Sequence, residues 1–241
     1  FYAQGGLQGA VGTMVAHYHR ELTGEGQHVD QSCQHAVILT LMRTAEVWDL
    51  NRFNIRGSGP GSWLPRQPPQ GPLFVRRMFP CKDGYVMCIL AGGGLAGLVT
   101  SSKALVQWAN EEGYMLELKD HDWAGEDPET RTQEFLDHRN KLLEEFLMTK
   151  TKAECLEQAL KHDIQLIPVN NVKDVVECPQ MAYREFFKSV EHPELGVTIT
   201  YPGFPILTTE AQPGIQRRAP LLGQHNDEIY RRWLGYDGEK M

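Results

Sequence analysis

Between residues 51 and 72 the chain carries five prolines and four glycines (Gly57, Gly59, Gly61 and Gly71). Proline lacks the N–H that a helix interior or central strand needs, and glycine weakens both. No long regular element can cross this stretch, so it divides the sequence. It is also longer than an ordinary connection, which marks it as a functional loop or a bridge between domains.

In front of the divide the pattern is helical. Leu7, Ala10, Val11, Met14, Val15 and Tyr18 recur at helical spacing on one face. Gly5, Gly6, Gly9 and Gly12 interrupt that helix, and imply close approach of its backbone to another element or to a ligand. After a turn at Thr23-Gly24-Glu25-Gly26-Gln27, the spacing of Val37, Leu41, Ala45 and Trp48 predicts one long helix over 29–50.

Behind the divide helices and strands alternate. A strand over 73–79, Lys82-Asp83-Gly84 and a strand over 85–90 read as a hairpin. Helices are expected over 95–110, 130–148 and 151–162, the last with Thr149 as candidate N-cap. A short strand over 164–169 precedes short helices over 172–178 and 180–187 around Pro179. A strand over 197–201 and a final helix over 226–234, closed by Gly235, complete the pattern. There is no internal repeat. The class is α/β or α+β.

With 241 residues, 41% of them hydrophobic, the chain can build one large or two modest cores. A net charge of -7 without a basic run argues against nucleic acid. No apolar run approaches a membrane span, and no signal peptide is seen. Five widely spaced cysteines without a CxxC read as reduced thiols in a cytoplasmic setting. The chain starts at Phe1 in apolar, Gly-rich sequence, so further sequence is expected upstream.

Gly92-Gly93-Gly94-Leu95-Ala96-Gly97 fits GxGxxG between a strand and a helix. Amides at such a helix start can hold a phosphate. A hairpin precedes it, and Glu111, Glu112 and Glu117 follow no second strand, so a nicotinamide site is not assigned. A plain strand-to-helix turn and a phosphate or substrate contact by Gly92, Gly93 and Gly94 both stay open. His17 and His19 point apart on their helix, and no HExxH or Cys/His ladder occurs, so no metal is assigned. Cys33 inside a helix reads as packing. Arg76-Arg77 and Arg217-Arg218 read as surface pairs or contacts to an anion.

Several segments share a pattern with one family. They are Gly5 to Gly12 followed by Thr23-Gly24-Glu25-Gly26-Gln27-His28-Val29-Asp30; Lys82-Asp83-Gly84-Tyr85-Val86; the Ile-Pro-Val strand near 167–169; His192-Pro193 through Pro205; and Pro220-Leu221-Leu222-Gly223-Gln224-His225. In this order they resemble the family III coenzyme A transferases, which include formyl-CoA and carnitine-CoA transferases and α-methylacyl-CoA racemases.

The resemblance implies an α/β fold: the C-terminal part of a Rossmann-like large domain plus a smaller α+β domain, in a family of interlocked dimers. The implied layout is 1–52 for the end of the large CoA-binding domain, 53–72 for the linker, 73–190 for the small domain and 191–241 for the return to the large one. The implied activity is acyl-CoA:carboxylate CoA transfer. The substrates are a CoA thioester and a carboxylic acid, without a permanently bound cofactor, nucleic acid or membrane. The partner is a second copy or a family homologue.

In this family an Asp carboxylate attacks the acyl-CoA and becomes a covalent acyl carrier. Its position falls at Phe1 or Tyr2, or upstream, so no catalytic residue is assigned here. An Asp before Phe1, a non-catalytic subunit and a pseudo-enzyme all stay open, as do the racemase and scaffold readings. Gln70 and Gly71 match the family's substrate-covering loop, although Arg66-Gln67-Pro68-Pro69 lacks its glycine run. Trp48, Phe53, Trp63 and Phe74 hint at an apolar or aromatic acid, or at core packing.

Overall fold

The computed structural model describes residues 2–41, 44–57, 59–64, 66, 71–94, 96–127, 130–211 and 213–236. These form two compact units, 1–169 and 170–241. Helices and small antiparallel sheets mix throughout, as the α/β pattern predicts.

The first unit opens with α1 (Tyr2–Thr23). Its glycines divide by face. A Cβ on Gly5 would stand 2.6 Å from Cys33 Sγ, and one on Gly12 would stand 2.9 Å from Val29 Cγ1, whereas Gly6 and Gly9 meet nothing within 4 Å. Close packing therefore accounts for two of the four. The single helix predicted over 29–50 is broken into α2 (Cys33–Ile38), a 3-10 turn Leu39–Leu41 and α3 (Thr44–Asn51). The start moves to Cys33 because the Ser32 side chain accepts from the His35 N–H as N-cap. The Thr40 and Thr44 hydroxyls donate to Val37 O and Leu41 O, local bonds that compete with the helix ladder.

The Pro/Gly stretch is not wholly irregular. Gly61–Leu64 forms β1, paired antiparallel with β2 (Leu73–Arg76) from Gly61↔Arg76 to Leu64↔Leu73. Gly61 is needed there, since a Cβ would lie 2.4 Å from Val75 O. The strand predicted over 73–79 is cut at Arg77. Both Arg77 N–H and Met78 N–H donate to Pro60 O, and Arg77 O accepts from Cys88 N–H. The chain thereby leaves one sheet and enters another as β3 (Met78–Cys81).

The Lys82-Asp83 turn joins β3 to β4 (Gly84–Cys88), and β5 (Leu166–Val169) pairs antiparallel on the other side of β4. One face of this sheet shares a core with α4 (Ala96–Glu111), α5 (Gln133–Leu147) and α6 (Lys152–His162). Phe79, Val86, Leu105, Leu143, Phe146 and Leu166 are its centre, each 1% exposed or less. The cap of α6 is Thr151, not Thr149. Thr151 and Glu154 form a capping box, while the Thr149 hydroxyl donates to Phe146 O at the end of α5.

The second unit holds α7 (Val172–Val176), α8 (Pro179–Tyr183) and a hairpin of β6 (Phe187–His192) with β7 (Val197–Pro202). The helix predicted over 180–187 stops at Tyr183, because Glu185 takes a positive φ of 46° and Phe186 O turns to Gly203 N–H. The strand β6 that follows was not anticipated. The last helix is a π-helical segment, Asp227–Trp233, closed by Gly235 at φ 69°.

Candidate functional site

The glycine run sits between β4 and α4, and its three residues are there for different reasons. Ala91, just before it, is pinned by Ser102, whose Oγ accepts from Ala91 N–H at 3.0 Å and donates to Ala91 O at 2.7 Å. A Cβ on Gly92 would lie 2.3 Å from Trp123 O and 2.6 Å from Glu126 Oε2. Gly92 thus permits close packing. Gly93, at φ 71°, donates its N–H to Trp123 O at 2.8 Å. Gly94, at φ 69°, meets nothing within 4 Å. Leu95 lies outside the described residues.

Beneath the run, the Glu126 carboxylate collects three partners. Arg131 Nε forms a close ion pair with it, Arg139 Nη1 lies 3.3 Å from both its oxygens, and His121 Nε2 lies 3.2 Å away. The Glu126, Arg131 and Arg139 side chains are 7%, 9% and 3% exposed. Two guanidinium groups therefore share one buried carboxylate. Arg139 Nε has no hydrogen-bond partner among the described residues. Its guanidinium faces the rings of Trp123 at 5.6 Å and Phe135 at 5.3 Å, which favours a cation. Burial pulls the Arg139 pKa below the ordinary arginine value, and Glu126 opposes that pull.

Arg131 and Arg66 link this hub to Gly92 and to Gly71. Arg131 Nη2 donates to Gly92 O. Arg131 O in turn accepts from Arg66 Nη1 at 3.0 Å, and Arg66 Nε donates to Gly71 O at 3.0 Å. Gly71 and Gly92 thus join one network; Gln70 lies outside the described residues. A 430 Å³ cleft reaches this network along His121, Thr130, Arg131 and Phe135. A second cleft, of 660 Å³, shares His121 and runs along Lys103, Gln107 and Lys119. Asp122 and Asp127 line the first cleft and Glu111 and Asp120 the second, so neither is a simple anion trap.

Other sequence candidates are committed elsewhere. Arg76 pairs with Glu144, Arg77 donates to Ser62 Oγ, Arg217 pairs with Glu228 and Arg218 with Glu194. Trp63 and Phe74 pack edge to face across β1 and β2 at 5.4 Å. Among the described residues no group of three or more His, Cys, Asp or Glu is placed to hold a metal ion. No described helix is long and apolar enough to cross a membrane.

No motif in the sequence marks the hub residues. One signal was present: Arg139 stands in the apolar stripe of α5, with Leu136 before it and Leu143 after it, where an aliphatic residue is expected.

The family model for CoA-transferase family III matches residues 1–226. The chain is 31% identical over 221 residues to the succinyl-CoA:(R)-benzylsuccinate CoA-transferase subunit BbsE of Thauera aromatica, covering 91% of this chain and 50% of that protein. It is 29% identical over 260 residues to the formyl-CoA:oxalate CoA-transferase of Streptomyces avermitilis, covering 98% of this chain and 56% of that one. A CAIB/BAIF family protein from Brucella suis shares the fold, with a TM-score of 0.60 at 20% identity over 95% of this chain and 53% of that chain. The chain spans about half the length of the curated relatives it matches.

Proposed function

The chain belongs to CoA-transferase family III, and we propose from that premise that it forms part of an acyl-CoA:carboxylate CoA-transferase built from two different subunits. The carrying observation is the continuous family match through residues 1–226, with relatives that are themselves named CoA-transferases. The heteromeric reading is supported by the Thauera aromatica relative, which is named as a subunit.

In this reading 1–52 ends the large domain, 53–72 is the linker, 73–190 is the small domain and 191–241 returns to the large one. The substrates are an acyl-CoA and an organic acid. Gln70 and Gly71 belong to the loop that the family pattern assigns to covering the substrate, and the Gly92–Gly94 turn contacts a phosphate or another part of the bound acyl-CoA. Within that turn, Gly94 is the residue at which a Cβ would meet nothing within 4 Å. No residue of this chain is given the nucleophile's role. The nucleophile is an Asp carboxylate, upstream of Phe1 or on a partner subunit. It attacks the acyl-CoA to give a mixed anhydride and CoA thiolate. The thiolate attacks the aspartyl carbonyl and expels the donor acid. The acceptor carboxylate then displaces CoA thiolate to a second anhydride, from which the thiolate takes the acceptor acyl group and frees the Asp.

The test uses the native protein with whatever chains co-purify. It is incubated with succinyl-CoA and a panel of organic acids, and new acyl-CoA is followed by mass spectrometry. Hydroxylamine is added to trap an aspartyl thioester. Transfer, with an aspartyl adduct in the assembly, is expected; the chain that carries the adduct shows whether the nucleophile stands upstream of Phe1 or on a partner subunit. Deuterium exchange at the α-carbon without an acceptor would replace this reading by racemisation. No CoA chemistry, or a stable monomer in light scattering, would refute it.

A further inference from the structure

We infer that Arg131 is a positioning residue that holds Gly71, just before β2, and the turn at Gly92–Gly94 in one fixed relation. The inference rests on the proposal that both Gly71 and the Gly92–Gly94 turn face the bound acyl-CoA.

Three observations carry it. The Arg131 guanidinium donates to Gly92 O, while its own carbonyl accepts from Arg66, whose Nε donates to Gly71 O. Arg131 thus contacts Gly92 through its side chain and, through its carbonyl, Arg66, which in turn holds Gly71. The guanidinium cannot drift, because its Nε abuts Glu126, which Arg139 and His121 hold from other sides. Gly92 is tightly enclosed as well, since even a Cβ there would meet Trp123 O and the Glu126 side chain.

The residue type matters. A planar fork can pair with a carboxylate through one nitrogen and donate to a carbonyl through another, whereas a lysine ammonium is a single point charge. A residue that only filled space would need neither polar contact. The Arg131 contacts cross 39 residues to Gly92 and 65 residues to Arg66. They therefore fix a tertiary distance between Gly71 and the Gly92–Gly94 turn, rather than a local loop shape. Small displacements of groups that position a reacting centre are costly, about a hundredfold for about 1 Å.

The experiment compares Arg131→Lys and Arg66→Met with the native assembly, and uses Arg217→Gln as a surface control. Amide hydrogen exchange is read for peptides covering 66–76 and 91–97. Transfer and simple hydrolysis of succinyl-CoA are measured in the same samples. Arg131→Lys is expected to speed exchange in the 91–97 peptide by about tenfold. It should also lower kcat by about tenfold or more with KM for acyl-CoA within about twofold, and raise hydrolysis relative to transfer. Arg66→Met, which leaves the buried hub intact, is expected to free the 66–76 peptide alone and to raise the same ratio. Unchanged exchange in both variants overturns the inference. So does faster exchange with an unchanged ratio of transfer to hydrolysis, which is what a merely structural role would give. If Arg131→Lys does not fold, Arg66→Met decides alone. If the native assembly transfers no CoA, the proposed function falls, and the exchange data still decide whether Arg131 couples Gly71 to the Gly92–Gly94 turn.

Discussion

Replacing Glu126 by glutamine removes one buried charge and leaves two guanidinium groups facing each other. The amide keeps the shape of the carboxylate, so cavity terms are small and the effect is electrostatic. At 3.3 Å from Arg139 and an effective dielectric of about 20, one such attraction is about 5 kcal/mol before desolvation. Arg131 adds a closer pair. The new amide oxygen still accepts one hydrogen bond, and relief of the buried carboxylate's desolvation offsets part of the loss. Breaking a buried pair from one side costs about 3–5 kcal/mol net, and Glu126→Gln is expected in that range. For a unit of this size the midpoint should fall by roughly 6–20 °C. Thermal scans by near-ultraviolet circular dichroism follow it, since Trp123 packs against Arg139. The double variant Glu126→Gln with Arg139→Leu removes one of the orphaned cations and should regain part of the loss. A cost below about 1 kcal/mol, or a double variant no more stable than the single one, would mean that water already screens the hub.

The remaining expectations concern local packing and chemistry. In α1, Gly6→Ala should stabilise by about 0.5–1 kcal/mol because its Cβ meets open space, whereas Gly5→Ala should destabilise by driving a Cβ into Cys33 Sγ; thermal scans distinguish them. Thr151→Ala should cost about 1 kcal/mol near pH 7 by loss of the α6 cap, measured by urea denaturation. Hydrogen bonds from the Thr151 backbone and side chain hold the Glu154 carboxyl below its ordinary pKa. That contribution is present above the unfolded pKa and is lost as pH falls through the folded one, so the gap between wild type and variant should narrow on acidification. Burial pushes the Cys88 and Cys155 thiols up to about 12 and raises Cys81. Iodoacetamide at pH 8 should therefore mark only the partly exposed Cys33 and Cys178 in the native protein, read by peptide mass spectrometry.

How far these features were legible depends on how local their causes are. The Lys82-Asp83 hairpin and the amphipathic helices α4 to α6 rest on neighbours in sequence, and the pattern finds them. The break before Cys33 rests on a Ser32 cap, also local but masked by the apolar spacing that continues through Val37 and Leu41. The cut at Arg77 rests on Pro60 O, a partner no periodicity can indicate. The hub is the extreme case. Glu126 lies in a polar loop that reads as solvated, Arg131 stands in the charged first turn of the helix expected over 130–148, which in fact begins at Gln133, and only Arg139, at an apolar position of α5, betrays a buried charge. The glycine run shows the opposite limit: a GxGxxG string is visible at once, yet its first two glycines serve Trp123 and Glu126 within the protein.

Among the apolar surfaces that the described contacts leave uncovered, two stand on regular elements of the first unit. Leu7, Val11, Met14, Val15, Tyr18 and Leu22 are all more than half exposed along α1, on a different side of the helix from Gly5 and Gly12, which pack on Cys33 and Val29. Across the β3-β4-β5 sheet, Tyr85 and Met87 point away from the core that Val86 and Cys88 enter, and Ile167 stands opposite Met87 on that outer face. An antiparallel sheet with one wetted face ordinarily carries polar residues there, and soluble helices rarely leave so long a stripe uncovered. These residues make physical sense once both surfaces have cover. That is what the proposed assembly supplies, through the rest of the large domain and a homologous subunit. Stability would then depend on subunit concentration, and the placement of Gly71 and the Gly92–Gly94 turn over a shared substrate would be completed only in the assembled enzyme.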